Sequence, residues 1–190
     1  MTGIVLGIAG AIAALHYIPA VDVDREVSII AVTPNGGNSE TFHIDVPADR
    51  IMLGTENRTN PLPLEMRWPK NEALAGTRSE LFKVRNSRDA VIGVASRLAI
   101  RNQPLGEVIE WVLHLPDRGS FYVSVPPRDK NGLRTGALTA GTQEFDGLGG
   151  TMSERWIAGG GDAETPGDGR IELVATYVAS AKIVQAEVRE

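Results

Sequence analysis

A chain of 190 residues, 42% apolar and 23% charged, has material for one domain with a sizeable core and is short for two. Its formal net charge of −5, with no local block of Lys or Arg, argues against nucleic-acid binding, which draws affinity from basic surface matched to phosphates. The absence of cysteine excludes disulfides, Cys-ligated zinc, iron–sulfur clusters and thiol nucleophiles, and permits either redox compartment.

The chain opens on an apolar run, GIVLGIAGAIAALHYIPAV from Gly3 to Val21, without a formal charge when His16 is neutral. A helix over it rises nearly the ~30 Å of a bilayer's hydrocarbon core. Gly3, Gly7 and Ala11 fall at small-xxx-small spacing, which lets a second membrane helix approach closely. Residues 1–23 are therefore read as a membrane anchor. A cleaved signal peptide and a buried first helix fit the same residues, and no Lys or Arg precedes the run to orient it. Membrane lipid and a membrane-protein partner follow as expectations, with residues 24–190 on the extracytoplasmic side or exported.

Beyond that segment the pattern is short strands. Arg25–Val32 reads as a strand, residues 33–39 (TPNGGNS) as a turn, and Glu40–Val46 as a second strand with Phe42, Ile44 and Val46 on one face. Residues 47–77, rich in proline, read as an irregular excursion with one short helix. From Ser79 onward come SELFKVRNS, AVIGVASRLAIR, EVIEWVLHLP, GSFYVSVP, GALTAG, GTMSERWI and RIELVATYVASAKIV, each bounded by Gly, Pro, Asn or Asp. This spacing predicts an all-β domain, an antiparallel meander of seven or eight strands curled into a barrel or sandwich.

Gly136–Trp156, GALTAGTQEFDGLGGTMSERW, resembles the glycine-punctuated hairpin of the allene oxide cyclase and dirigent-like barrels, as do Trp111–Ser124 and Gly169–Tyr177. The resemblance covers roughly the C-terminal hundred residues. It implies a closed antiparallel barrel, an aromatic side chain plugging it, and a Gly-x-x-Gly bend that starts the next strand. That family includes an oxylipin cyclase, proteins that steer phenoxy-radical coupling and polyketide-type cyclases, so the resemblance implies a small apolar ligand without fixing an activity.

Small barrels hold ligands in the interior or at one mouth, so strand alternation selects the candidates. Met152, Glu154 and Trp156 share a face, and Glu154 is the candidate catalytic residue: a carboxylate beside an indole, able to move a proton. Glu110 and His114 share a face opposite Ile109, Trp111 and Leu113, and Tyr122 stands between Ser120 and Ser124. Together with Trp156, these three are the candidate ligand-binding residues. His43 and Asp45 lie two apart on one strand face but are too few for a metal site, and no metal or cofactor motif appears. The residues leave two functions open. One is a non-catalytic assembly subunit that contacts membrane proteins; the other is a barrel that binds, and isomerises or cyclises, a small apolar ligand.

Overall fold

The structure, a computed structural model, describes residues 38–55, 74, 76–102, 106–127, 132–159 and 168–179. The apolar segment with Gly3, Gly7 and Ala11, and the strand expected at 25–32, lie outside these residues. Among the described residues no helix is long and apolar enough to cross a membrane.

Among the described residues, alternation of apolar and polar residues builds nine strands: β1 (Asn38–Val46), β2 (Arg50–Thr55), β3 (Thr77–Arg85), β4 (Val91–Asn102), β5 (Gly106–Leu115), β6 (Gly119–Val125), β7 (Leu133–Gly141), β8 (Leu148–Ala158) and β9 (Gly169–Ala179). The seven runs expected from Ser79 onward are β3 to β9. Sheet order is β1-β9-β8-β7-β6-β5-β4-β3-β2, every pairing antiparallel, and an additional β1–β3 pairing closes the sheet on itself.

The closure explains how nine segments make an eight-stranded cylinder. Along the free edge of β3, Arg85 faces His43 of β1, while Phe82 to Arg78 face Arg50 to Thr55 of β2. Both β1 and β2 run antiparallel to β3, so they are two halves of one broken strand. The first half pairs along its length with β9. The irregular excursion expected over 47–77 is corrected at its start, because residues 50–55 form this second half. The turn at Pro47–Asp49 had obscured the continuation.

Side chains fill the cylinder. Phe42, Phe82, Trp111, Phe121, Phe145 and Tyr177 are fully buried, each large apolar side chain contributing about 1.5–3 kcal/mol by leaving water. Phe145 sits in a 3-10 turn, Gln143–Phe145, between β7 and β8, with its ring 4.9 Å from Phe121 and 5.5 Å from Tyr177. It is the aromatic plug that the resemblance implies. Beneath it Arg118, 4% exposed, donates from Nε to Glu144 (2.7 Å) and from Nη2 to Glu40 (2.9 Å), and its guanidinium lies 5.2 Å from the Phe145 ring. Tyr177 donates its hydroxyl to the same Glu40 oxygen at 3.2 Å. Burial, followed by the Glu40 charge, pushes the Tyr177 phenol well above its ordinary range. This end of the barrel is closed.

The Gly-x-x-Gly bend is also present. Gly150 has φ +140°, and a Cβ there would lie 1.9 Å from the Thr176 carbonyl oxygen, so only glycine lets β8 approach β9 at this point.

Candidate functional site

At the opposite end the inward-facing positions change from aromatic to charged. On β3 the inward series Val84, Phe82 continues to Glu80, and on β4 the series Ala95, Ala99 has Arg97 between its members. Arg134 on β7 pairs in register with Glu154 on β8, one step toward the mouth from the Gly136–Met152 pair. The small side chains of Ala95 and Ala99 give Arg97 room to reach across the barrel.

Arg97 is the bridge of this layer. Its Nη1 donates to Glu80 Oε2 at 3.1 Å and its Nη2 lies 3.5 Å from Glu154 Oε1. Glu80, almost wholly buried, also receives Arg50 at 3.1 Å and Arg78 at 2.5 Å on Oε1. The second oxygen of Glu154 accepts the Trp111 indole N–H at 2.8 Å. Arg97 stacks 5.7 Å from the Trp111 ring and Arg50 5.8 Å from that of Phe82, so two guanidinium groups rest on the aromatic layer below. Nearby, Arg134 donates to Glu107 at 2.9 Å. Burial raises the Glu107 carboxyl, but the Arg134 hydrogen bond and the charges of Arg97, Arg134 and Arg101 outweigh it and hold the carboxyl below its ordinary value. Buried charges are tolerated only when paired in this way.

Part of this layer forms the floor of a cavity of about 240 Å³. Its walls are Val46, Phe82, Trp156 and Ile171, and its polar lining is Arg50, Arg78, Glu80, Arg97 and Glu154. Trp156 is 39% exposed at the rim. Its indole edge fits over Gly169, where a Cβ would come within 2.4 Å of Cζ2. The guanidinium forks are not fully used: Nε of Arg50, Arg97 and Arg134, and Nη1 of Arg134, are buried without a hydrogen-bond partner among the described residues. Each such donor costs about 1–3 kcal/mol.

No family model matches this chain, and no curated protein does. A solved structure of a pterocarpan synthase dirigent protein is similar to it at 13% identity, covering 83% of this chain and 98% of that one, with a TM-score of 0.44. The likeness is one of fold.

Of the residues singled out from sequence, Glu154 and Trp156 meet in the cavity. The indole that bonds Glu154 is that of Trp111, and Glu154 is enclosed by donors as well as apolar walls. Glu110, His114 and Tyr122 stand on the outer face of β5 and β6. There Glu110 accepts from Ser124 at 2.6 Å, His114 bonds Ser120 at 2.8 Å, and Tyr122 is exposed. They do not join the cavity. Arg50, Arg78, Glu80, Arg97, Glu107 and Arg134 were not among the sequence candidates. Their signal was a charged residue in phase with the apolar face of its strand, as in Glu80-Leu81-Phe82-Lys83-Val84.

His43 and Asp45 do acquire a third potential ligand, Asp89, with one ligand atom from each within 4.8 Å of the others. Arginines already serve these carboxylates, however. Arg170 donates to Asp45 at 2.7 Å and lies 3.8 Å from Asp89, and Asp89 is bonded to His43 at 2.6 Å. Arg85 grips the fully buried Asp49 through Nε and Nη2, at 2.9 Å each, while Asp49 accepts the Asp45 N–H at 2.8 Å. The arrangement ties the broken strand together on the outer face of the barrel.

Proposed function

We propose that this barrel binds a small molecule at its open mouth, with a flat apolar body against Trp156, Phe82, Val46 and Ile171 and polar groups directed at the charged floor. The observation that carries the reading is the change of the interior from a packed aromatic layer to a cavity whose floor is an Arg97-bridged pair of carboxylates. A barrel serving only as a scaffold gains nothing from buried charge, since well-packed apolar residues give equal or greater stability. The polar floor therefore speaks for recognition. Glu154 is the group best placed to act on a bound molecule, because it lines the cavity and is fixed by Trp111 and Arg97.

At interior packing density the cavity holds on the order of ten non-hydrogen atoms. The test is to titrate a panel of monocyclic and bicyclic aromatic compounds into the protein while following backbone and indole resonances by NMR. Shifts concentrated at Trp156, Ile171, Glu154 and Glu80 support the reading. Shifts confined to the outer face around Tyr122 and His114, or none across the panel, overturn it. The membrane attachment expected from residues 3–21 is a separate proposal, tested by fractionating the full chain and a form lacking 1–23. It falls if the two partition identically into the soluble fraction.

A further inference from the structure

The charged layer at the mouth does not balance. Among the described residues the cavity is lined by three arginines (Arg50, Arg78 and Arg97) and two glutamates (Glu80 and Glu154), an excess of one positive charge. Both carboxylates already accept one or more guanidinium donors. Among the described residues the donors left over at this lining belong to arginine, Nε of Arg50 and Nε of Arg97. A layer with surplus buried N–H donors and a surplus positive charge is complementary to an acceptor that carries one negative charge.

From this, resting on the reading of the mouth as a binding pocket, we propose that the natural ligand is a small aromatic or cyclic monocarboxylate, its carboxylate directed at the arginine layer and its ring against Trp156. The arginine fork matches a carboxylate's two oxygens, and both groups are planar. A dianion such as phosphate would overshoot the single surplus charge and meet Glu80 and Glu154 at close range. A neutral molecule would leave the surplus uncompensated. Arg78 is the member of the layer that meets the ligand from the rim: it is 46% exposed at its side chain and is fixed through Nη2 to Glu80.

Matched pairs of probes separate this inference from the pocket reading beneath it. Benzoate, phenylacetate and cinnamate are titrated calorimetrically against the corresponding amides, with inorganic phosphate as a third arm, using the full chain at neutral pH. The acids are expected to bind about tenfold or more tightly than their amides, and to weaken as salt is raised. Two variants then move the affinity in opposite directions. Arg78→Gln, at a rim position and with Glu80 still paired to Arg50 and Arg97, weakens the acids about tenfold and the amides less. Glu154→Gln removes a competing carboxylate and tightens the acids severalfold.

Opposite signs cannot arise from general loss of structure. Equal binding of acids and amides overturns the carboxylate assignment while the pocket stands. Tightest binding of phosphate overturns it also. Failure of both acids and amides to bind removes the pocket, and the inference with it.

Discussion

Replacing Glu154 by glutamine tests the energetic role of the buried layer, because the amide keeps the shape and removes only the charge. At 3.5 Å from Arg97 Nη2, and with an effective dielectric of roughly 20, the gross attraction is about 5 kcal/mol. Desolvation of the carboxylate cancels much of that, typically several kcal/mol per buried ion. The Trp111 indole N–H, 2.8 Å from Oε2, also loses about 1 kcal/mol when its acceptor changes from charged to neutral. The net expectation is a loss of about 1–3 kcal/mol. In a domain of this length that corresponds to a fall in Tm of a few degrees for each kcal/mol. Urea unfolding followed by circular dichroism measures it, with Trp111→Phe and the double variant completing a cycle. Because one change removes and the other weakens the same hydrogen bond, their losses should sum to more than the double variant loses, by about 0.5 kcal/mol or more. Strictly additive losses, or a Gln variant as stable as the parent, would refute the claim that the indole and the carboxylate are coupled.

Other expectations can be checked alongside it. Arg118→Met removes the guanidinium that Glu40 and Glu144 share beneath the Phe145 plug, and is expected to cost about 1–3 kcal/mol in urea unfolding. The hydrogen bond from His43, assisted by the charges of His43, Arg170 and Arg85, holds the Asp89 carboxyl below its ordinary value. Its stabilisation is therefore complete above the ordinary aspartate range and is lost as pH falls through the lowered pKa. Asp89→Asn, which keeps the positive φ accessible, should lower Tm near neutral pH and converge with the parent in acid, as a Tm–pH profile will show. Gly169→Ala drives a methyl into the Trp156 ring edge; it should displace the indole resonance and weaken aromatic probes severalfold, with about 1–3 kcal/mol of lost stability.

Most of the barrel was legible because its strands obey a period of two between strong breakers. Phe42, Ile44 and Val46 point inward as the alternation required, and so do Ile109, Trp111 and Leu113. Residues 50–55 escaped notice because RIMLGT follows a proline turn and precedes a proline-rich stretch, and its pairing with β3 is non-local. At the site, Glu154 could be found from its phase with Met152, but its partners could not. Arg97 reaches it from four strands away around the barrel, and no spacing along the chain encodes that encounter. Conversely Glu110, His114 and Tyr122 drew interest by residue type, while their phase placed them opposite Trp111 and Phe121, on the outside.

The barrel's circumference is not uniform in what holds it shut. Seven of its joins are long backbone ladders, but β1 meets β3 at the single position His43–Arg85. Next to it the Lys83 N–H donates to the Asp49 carbonyl and Arg85 clamps the Asp49 side chain, and from Arg50 to Thr55 the β2 half continues the join as a backbone ladder. The wall should therefore give way first at this break, where the backbone ladder is interrupted between the two halves of the strand. The cavity lies beside this clasp, since Val46 ends one half of the broken strand and Arg50 begins the other. A sideways opening of the wall at this point would give a molecule a second way in.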